Sequence, residues 1–249
     1  AVVDEQHRFG VEQRGALTRQ KPRPHLLGMS ATPIPRTLSL TIYGDLDITT
    51  LKILPEGRQP ITTTLATNQV TKNHAYELVR QQVARGKQAF VVCPLIEPSD
   101  SIESASALEE LKHLQQGEFK DIRVGLLHGR MKLAEKQDVM ERVRNKQVDV
   151  LVATPVIEVG MDIPNATVMM IMSANRFGLA QLHQLRGRVG RGEDESYCVL
   201  MANSKGDLAN ERIEAMVKYS DGFILAEEDL RIRGPGDFMG TRQSGWDEL

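Results

Sequence analysis

The sequence predicts an α/β protein whose parallel sheet is covered by helices on both faces. Three observations point there. Short continuous apolar runs recur at 89–93, 124–127, 148–153, 168–172 and 197–201. Helical patterns fall between them. Ala75, Leu78, Val79 and Val83 share one face, Leu108 and Leu111 belong to a second, and Val139, Met140 and Val143 to a third. Runs without polar alternation, separated by amphipathic helices, are the signature of parallel strands buried on both sides. The expected architecture is therefore three layers, with functional groups on loops at the carboxyl ends of the strands.

The chain divides by composition into four parts. Residues 1–56 are too short for an independent core and read as the back part of a domain. Ala1–Val3 looks like the end of a strand, a helical stretch follows, and His25–Met29 reads as another strand. Pro33 and Pro35 precede a helical pattern carrying Leu38, Leu40 and Ile42. The Pro- and Gly-containing segment LPEGRQP (Leu54–Pro60) reads as the connection between two lobes, the linker being set at 57–66. Residues 67–203 hold the sheet. In 204–249, Ile213, Met216 and Val217 mark one short helix, Ser220–Gly222 a turn, and Ala226 with Leu230 a second helix. The final RGPGDFMGTRQSG is too rich in glycine for regular structure and reads as a long functional loop.

Composition narrows the function classes. With 41% hydrophobic and 26% charged residues the chain reads as globular. No apolar stretch approaches the roughly 20 residues of a membrane helix, and no secretory leader is visible. Cys93 and Cys198 sit far apart in apolar runs, as buried thiols of a reducing, cytoplasmic protein. The net charge of −2, from 31 basic and 33 acidic residues, does not announce a nucleic-acid binder. The distribution says more. Arg176, Arg186, Arg188 and Arg191 lie in a stretch with no acidic residue between them, a local basic patch on a balanced protein.

The segment QLRGRVGR, Gln184–Arg191, suits a strongly anionic group, because guanidinium is a rigid fork of donors that keeps its charge. Arg188 and Arg191 are three apart, the spacing of one helical face, and would stabilise charge on a transferring phosphoryl group; Gln184 would open that helix and sense the nucleotide. Asp4 and Glu5 follow a buried strand. Asp4 suits Mg²⁺ held through its water shell, and Glu5 suits the orientation and deprotonation of an attacking water. Gln6 and His7 complete the uncommon string DEQH. Ser30 and Thr32 end a strand, where their hydroxyls either cap the next helix or link two binding sites. His128 and Arg130 flank a glycine after a strand and suit either phosphate contact or a solvated turn. Thr154 suits a phosphate of the nucleic-acid strand. Gly160 allows close backbone approach, and Asp162 suits a ribose hydroxyl or an arginine.

DEQH, SATPIPRT, the run VDVLVA with TPVIEVGMDIP, and QLRGRVGR, in that order, resemble the later motifs of a superfamily 2 nucleic-acid motor. More specific strings run along essentially the whole chain: DEQHRFG, YGDLDI, HGRMK, VIEVGMDIPNA, RFGLAQLHQLRGRVGR and RIRGPGDFMGTRQSG. With these the chain resembles the RecG family, bacterial ATP-dependent DNA helicases that remodel replication forks and Holliday junctions. The nearest rival, the transcription-repair coupling factor, typically shows DEEQRFG and a GAG-type segment where this chain has DEQHRFG and Gly234-Pro235-Gly236. Two departures from the family are Met172–Asn175, where acidic residues are usual, and Pro155 in place of threonine, which removes a backbone donor.

The resemblance implies a RecA-like second helicase lobe at 67–203, the truncated end of a first lobe at 1–56, and a translocation hairpin with its loop at 204–249. It implies ATP and Mg²⁺ as cofactors, branched DNA as partner, and a monomer. Asp4 and Glu5 become the Mg-ATP carboxylates and Arg188 and Arg191 arginine fingers. Arg231, Arg233, Thr241, Arg242 and Gln243 belong to the coupling element. No G-x-x-x-x-G-K-[ST] loop occurs in the 249 residues, and the family's DNA-splitting wedge is missing. The expectation is a carboxy-terminal fragment, inactive alone; the alternative is a non-catalytic DNA-binding module.

Overall fold

The computed structural model describes residues 1–5, 21, 24–30, 47, 49–51, 59–94, 103–155, 163–202 and 207–233. The helices expected between the first two strands and after Pro35 lie outside these residues. Strand β1 (Val2–Val3) pairs in parallel with β2 (Leu27–Gly28), Val2 opposite Leu27 and Val3 opposite Gly28. This matches the two strands expected in the first part of the chain.

The main sheet has six strands among the described residues, all parallel: β3 (Ile61–Ala66), β4 (Gln88–Val92), β5 (Val124–Leu127), β6 (Val150–Ala153), β7 (Ala166–Ile171) and β8 (Ser196–Met201). Their spatial order is β3-β8-β7-β4-β6-β5. The connecting helices are α1 (Gln69–Ala84), α2 (Glu103–Gln116), α3 (Leu133–Arg144) and α4 (Leu179–Arg186); α5 (Asp207–Lys218) and α6 (Gly222–Arg233) follow β8. Strand residues alternate between two cores. Phe90, Val92, Leu151, Met169, Ile171 and Leu200 share one with α3, α4, α5 and α6. Val91, Val150, Val152, Val168, Met170 and Val199 share the other with α1 and α2. Every residue of β4, β6 and β7 is buried, as strands covered on both faces must be.

One strand was not expected. Ile61–Ala66, placed by sequence in the connection, is the edge strand of the sheet, in register with Ser196–Met201. Its sequence ITTTLA has no apolar run, so it lacks the signal of a doubly buried strand. Its β-branched threonines suit a pleated edge that solvent partly covers. In the hairpin, Ile213 and Met216 are buried as expected, but Val217 is 40% exposed. On α6 the fully buried positions are Leu225 and Ile232, with Ala226 and Leu230 at the margin. The apolar stripe is therefore rotated by one residue from the one the sequence suggests.

Helices α1 and α3 end in the same way. After α1, the amide of Gly86 donates to Val83 O at 2.8 Å and that of Lys87 to Gln82 O at 3.0 Å. After α3, Lys146 donates to Val143 O at 3.0 Å and Gln147 to Arg142 O at 2.8 Å. Both are Schellman closures, which need a left-handed residue just past the helix. Gly86 supplies it at φ 76°, Lys146 at φ 55°. Cys93 and Cys198 are both buried free thiols, and burial pushes each thiol up to about 12. No helix among the described residues is long and apolar enough to cross a membrane.

Candidate nucleotide and nucleic-acid sites

Helix α4 buries Leu179, Leu182, Leu185 and Arg186 and closes at Gly187. Two expectations fail here. Arg188 and Arg191 do not share a helical face, because both lie past the end of α4, and Gln184 sits in its last turn rather than its first. The helix reaches its C-cap at Gly187, in right-handed geometry, and Gly190, at φ 70°, turns the chain into a conformation that L side chains resist. The loop is anchored inward by Val189, which is fully buried. Arg188 is half-buried and Arg191 exposed.

The loop also stands at the opposite edge of the sheet from the one expected. A Cβ placed on Gly190 would lie 2.9 Å from Ile61 Cγ1 and 3.6 Å from Ser196 Cβ. Ile61 and Ser196 are the first residues of β3 and β8. A Cβ on Gly192 would meet Pro164 O, ahead of β7, at 3.1 Å. Lys87, just before β4, pairs with Asp194 at 2.5 Å. These contacts all lie at the amino ends of strands. The reason is topological: a crossover helix between parallel strands returns the chain to the amino edge, so a motif that follows the helix must fall there.

Arg186 is the residue that sequence reasoning misplaced most. It belonged to the arginine run expected to face an anion, yet it is 4% exposed. Its Nη1 donates to Met216 O at 3.0 Å and Tyr219 O at 2.9 Å, and Nη2 donates to Ser220 O at 3.0 Å. Nη2 also stands 3.0 Å from His183 Nδ1, and since guanidinium can only donate, that nitrogen accepts. The guanidinium thus satisfies carbonyls at the end of α5 and in the turn after it, at the negative end of the helix dipole. A signal was available: Arg186 is seven residues after Leu179 and so falls on the buried face of α4.

The hairpin runs between the two edges. From β8, α5 descends to the turn held by Arg186, and α6 returns, packing on α4. At the far end of α6, Arg233 Nη2 approaches Gly178, where a Cβ would lie 3.5 Å away. Gly178 precedes α4 on the carboxyl side of β7. Arg233 also pairs with Asp229 at 2.9 Å. Arg231 binds Glu228 at 2.8 Å and reaches Glu211 of α5 at 3.3 Å. Thr241, Arg242 and Gln243 lie outside the described residues.

The carboxyl edge carries His128, Arg130 and Thr154. Thr154 is 1% exposed and its amide donates to Leu127 O at 3.1 Å, so the residue is built into the sheet rather than projected from it. Arg130 is exposed, and Lys136 Nζ donates to Gly129 O at 2.5 Å. Burial, then the nearby charges of Lys136 and Arg130, hold the pKa of His128 below the ordinary imidazole value. Gly160 and Asp162, in the segment that leads from this edge to the start of β7, lie outside the described residues.

In the first part of the chain, Asp4 and Glu5 follow β1, and Ser30 follows β2. Because the two strands are parallel, all three come to the same edge. Asp4 Oδ1 accepts the Glu5 amide at 2.9 Å, and Glu5 adopts φ 50°. Gln6, His7 and Thr32 lie outside the described residues. Among the described residues no group of three or more His, Cys, Asp or Glu side chains is placed to hold a metal ion.

The comparisons fit this geometry. A family model for the helicase conserved C-terminal domain matches residues 71–193, and one for domain 3, C-terminal, of the ATP-dependent DNA helicase RecG matches 219–247. The ATP-dependent DNA helicase RecG of Synechocystis sp. is 53% identical over 98% of this chain, which covers 29% of that protein. That of Staphylococcus aureus is 48% identical, again over 98% of this chain and 35% of the relative. The chain thus spans about a third of the length of the curated relatives it matches. A solved structure of RecG bound to a three-way DNA junction aligns with 95% of this chain and 30% of its own, at TM-score 0.75 and 46% identity. Yeast Dbp5 bound to RNA and ADP BeF3 aligns over 93% of this chain and 62% of its own, at TM-score 0.58 and 15% identity, a likeness of fold alone. The parallel sheet and its flanking helices have the fold of the RecA-like C-terminal lobe of a superfamily 2 helicase. Over nearly all of its length the chain is similar to RecG helicases.

Proposed function

We propose that this chain supplies the second motor lobe and the coupling hairpin of an ATP-dependent translocase that remodels branched DNA, forks and Holliday junctions, in recombination and repair. The observation that carries the reading is the hairpin held at the arginine edge by Arg186 and reaching the opposite edge at Gly178. An element fixed at one end beside candidate phosphate-binding arginines can carry their movement to the other end. The relatives' names support DNA as the substrate, and the three-way junction in the solved RecG structure supports a branched form.

When bound, Mg-ATP would supply the phosphoryl transfer that drives movement. Arg188 and Arg191 would neutralise charge at the transferring group, with Gln184, Gly160 and Asp162 lining the nucleotide's surroundings. The exposed carboxylate of Asp4 fits a Mg²⁺ held largely by water and phosphate oxygens, since Mg²⁺ sites commonly use one or two carboxylates. Glu5 would hold the attacking water. His128, Arg130 and Ser30 would stand toward the nucleic acid, with Gln6, His7 and Thr32, while Thr154, buried in the sheet, would support that edge from beneath. Arg231 and Arg233 would brace the hairpin, with Thr241, Arg242 and Gln243 in the loop it carries.

The test is made in the full-length protein with a synthetic fork. Arg191→Ala is expected to lower DNA-stimulated ATP turnover by about a thousandfold or more while leaving fork binding intact. Arg242→Ala is expected to keep ATPase and lose unwinding. Turnover that survives Arg191→Ala would remove the arginine assignment, and equal loss of ATPase and unwinding in Arg242→Ala would remove the coupling role.

A further inference from the structure

Ile61 is the first residue of β3 and the first sheet residue after the connection. Its side chain packs partly into the core shared with α4 and α5. It also lies beneath the arginine loop. A Cβ on Gly190 would stand 2.9 Å from Ile61 Cγ1 and 3.1 Å from its Cδ1, so the backbone of Gly190 already rests on this side chain. Gly190 is buried, lies between Arg188 and Arg191, and takes its turn at φ 70°. Val189 anchors the loop toward the core, and Gly192 closes on the carbonyl of Pro164. Ile61 differs from these anchors in belonging to the edge strand that the connection feeds. Two residues further along β3, Thr63 Oγ1 stands 3.4 Å from Arg186 Nη1. One strand therefore meets the arginine run at two points.

We propose that Ile61 is a positioning residue for the Arg188–Arg191 loop, a stop that sets where the two guanidinium groups stand. This rests on the reading of the arginines as facing phosphate. Displacement of a charge-stabilising group by a fraction of an ångström weakens the transition state more than the bound ground state, so the effect belongs in kcat rather than in affinity. Space decides which substitutions matter. Ile61→Val keeps the branch at Cβ and loses only Cδ1, whereas Ile61→Ala opens a gap beneath Gly190. Gly190→Ala has the opposite fault, driving a methyl into Ile61.

The experiment is steady-state ATPase of the full-length protein at saturating fork DNA, with thermal unfolding of each variant. Ile61→Ala is expected to lower kcat by about tenfold or more, with KM for ATP and affinity for the fork unchanged. Ile61→Val should stay near wild type. Gly190→Ala should lose activity alone and recover part of it when combined with Ile61→Ala, because the new methyl then fills the gap. Wild-type kcat in Ile61→Ala would overturn the proposal. So would a loss in Ile61→Ala that merely follows its folded fraction, or a double variant no better than either single one. Arg191→Ala serves as the control: if it turns over ATP normally, the arginine reading itself has failed and the proposal falls with it.

Discussion

Lys146 occupies the position that Gly86 fills in the equivalent turn, and the comparison isolates the energy of one backbone conformation. Both close a helix by the same two hydrogen bonds and both have positive φ. Only Lys146 carries a Cβ, which in the left-handed region costs about 1–2 kcal/mol, offset by the entropy that glycine adds to the unfolded chain. Lys146→Gly is therefore expected to raise stability by about 0.5–1 kcal/mol, read as an upward shift of the thermal midpoint. A lower midpoint would contradict this account of the turn. At Gly86 a Cβ would meet nothing within 4 Å, so strain there comes from φ alone. At Gly190 strain and collision add, because Ile61 occupies the space. The same residue type thus answers a local need in one turn and a tertiary need in the other. Sequence shows the first kind readily, while the second requires knowing what lies across the gap.

Helix α4 shows what periodicity reveals and what charge conceals. Its buried positions, Leu179, Leu182, Leu185 and Arg186, follow a 3.6-residue period. Three of them are legible as core. The fourth carries a charge, and its neighbours Arg188 and Arg191 drew it into an anion-binding reading. In the folded chain it binds three main-chain carbonyls at the end of α5. Burial pulls its pKa below the usual guanidinium value, and the fork of donors repays that burial through its bonds. A lysine has one ammonium in place of the fork and cannot reach all three acceptors. Arg186→Lys is expected to cost about 2 kcal/mol, with faster amide exchange in α5 and α6 than in β4 and β7. Uniform exchange across the domain, or no loss of stability, would contradict the clamp. Edge strand β3 illustrates the reverse difficulty. Its threonines carry no apolar run, and only pairing with β8 reveals it as part of the sheet.

At the scale of the whole molecule, the parallel sheet separates two groups of candidate residues. Loops after β5 and β6 put His128, Arg130 and Thr154 at the carboxyl edge, while the loop after α4 puts Arg188 and Arg191 at the amino edge. The number and type of the buried strands was legible from apolar runs, and the hairpin from its spacing. The edge of each motif was not, because it depends on whether the motif follows a strand or a returning helix. The hairpin joins these edges through Arg186 at one end and Arg233 beside Gly178 at the other. On the proposed function the lobe would contribute arginines to hydrolysis, and a G-x-x-x-x-G-K-[ST] loop, which the 249 residues do not contain, would be supplied by another lobe. The most direct measurement is ATP hydrolysis by the isolated 249-residue polypeptide and by the full-length protein, each with saturating fork DNA. No DNA-stimulated turnover is expected from the polypeptide, and robust turnover from the full-length protein. Hydrolysis by the isolated chain that Arg191→Ala abolishes would contradict that expectation.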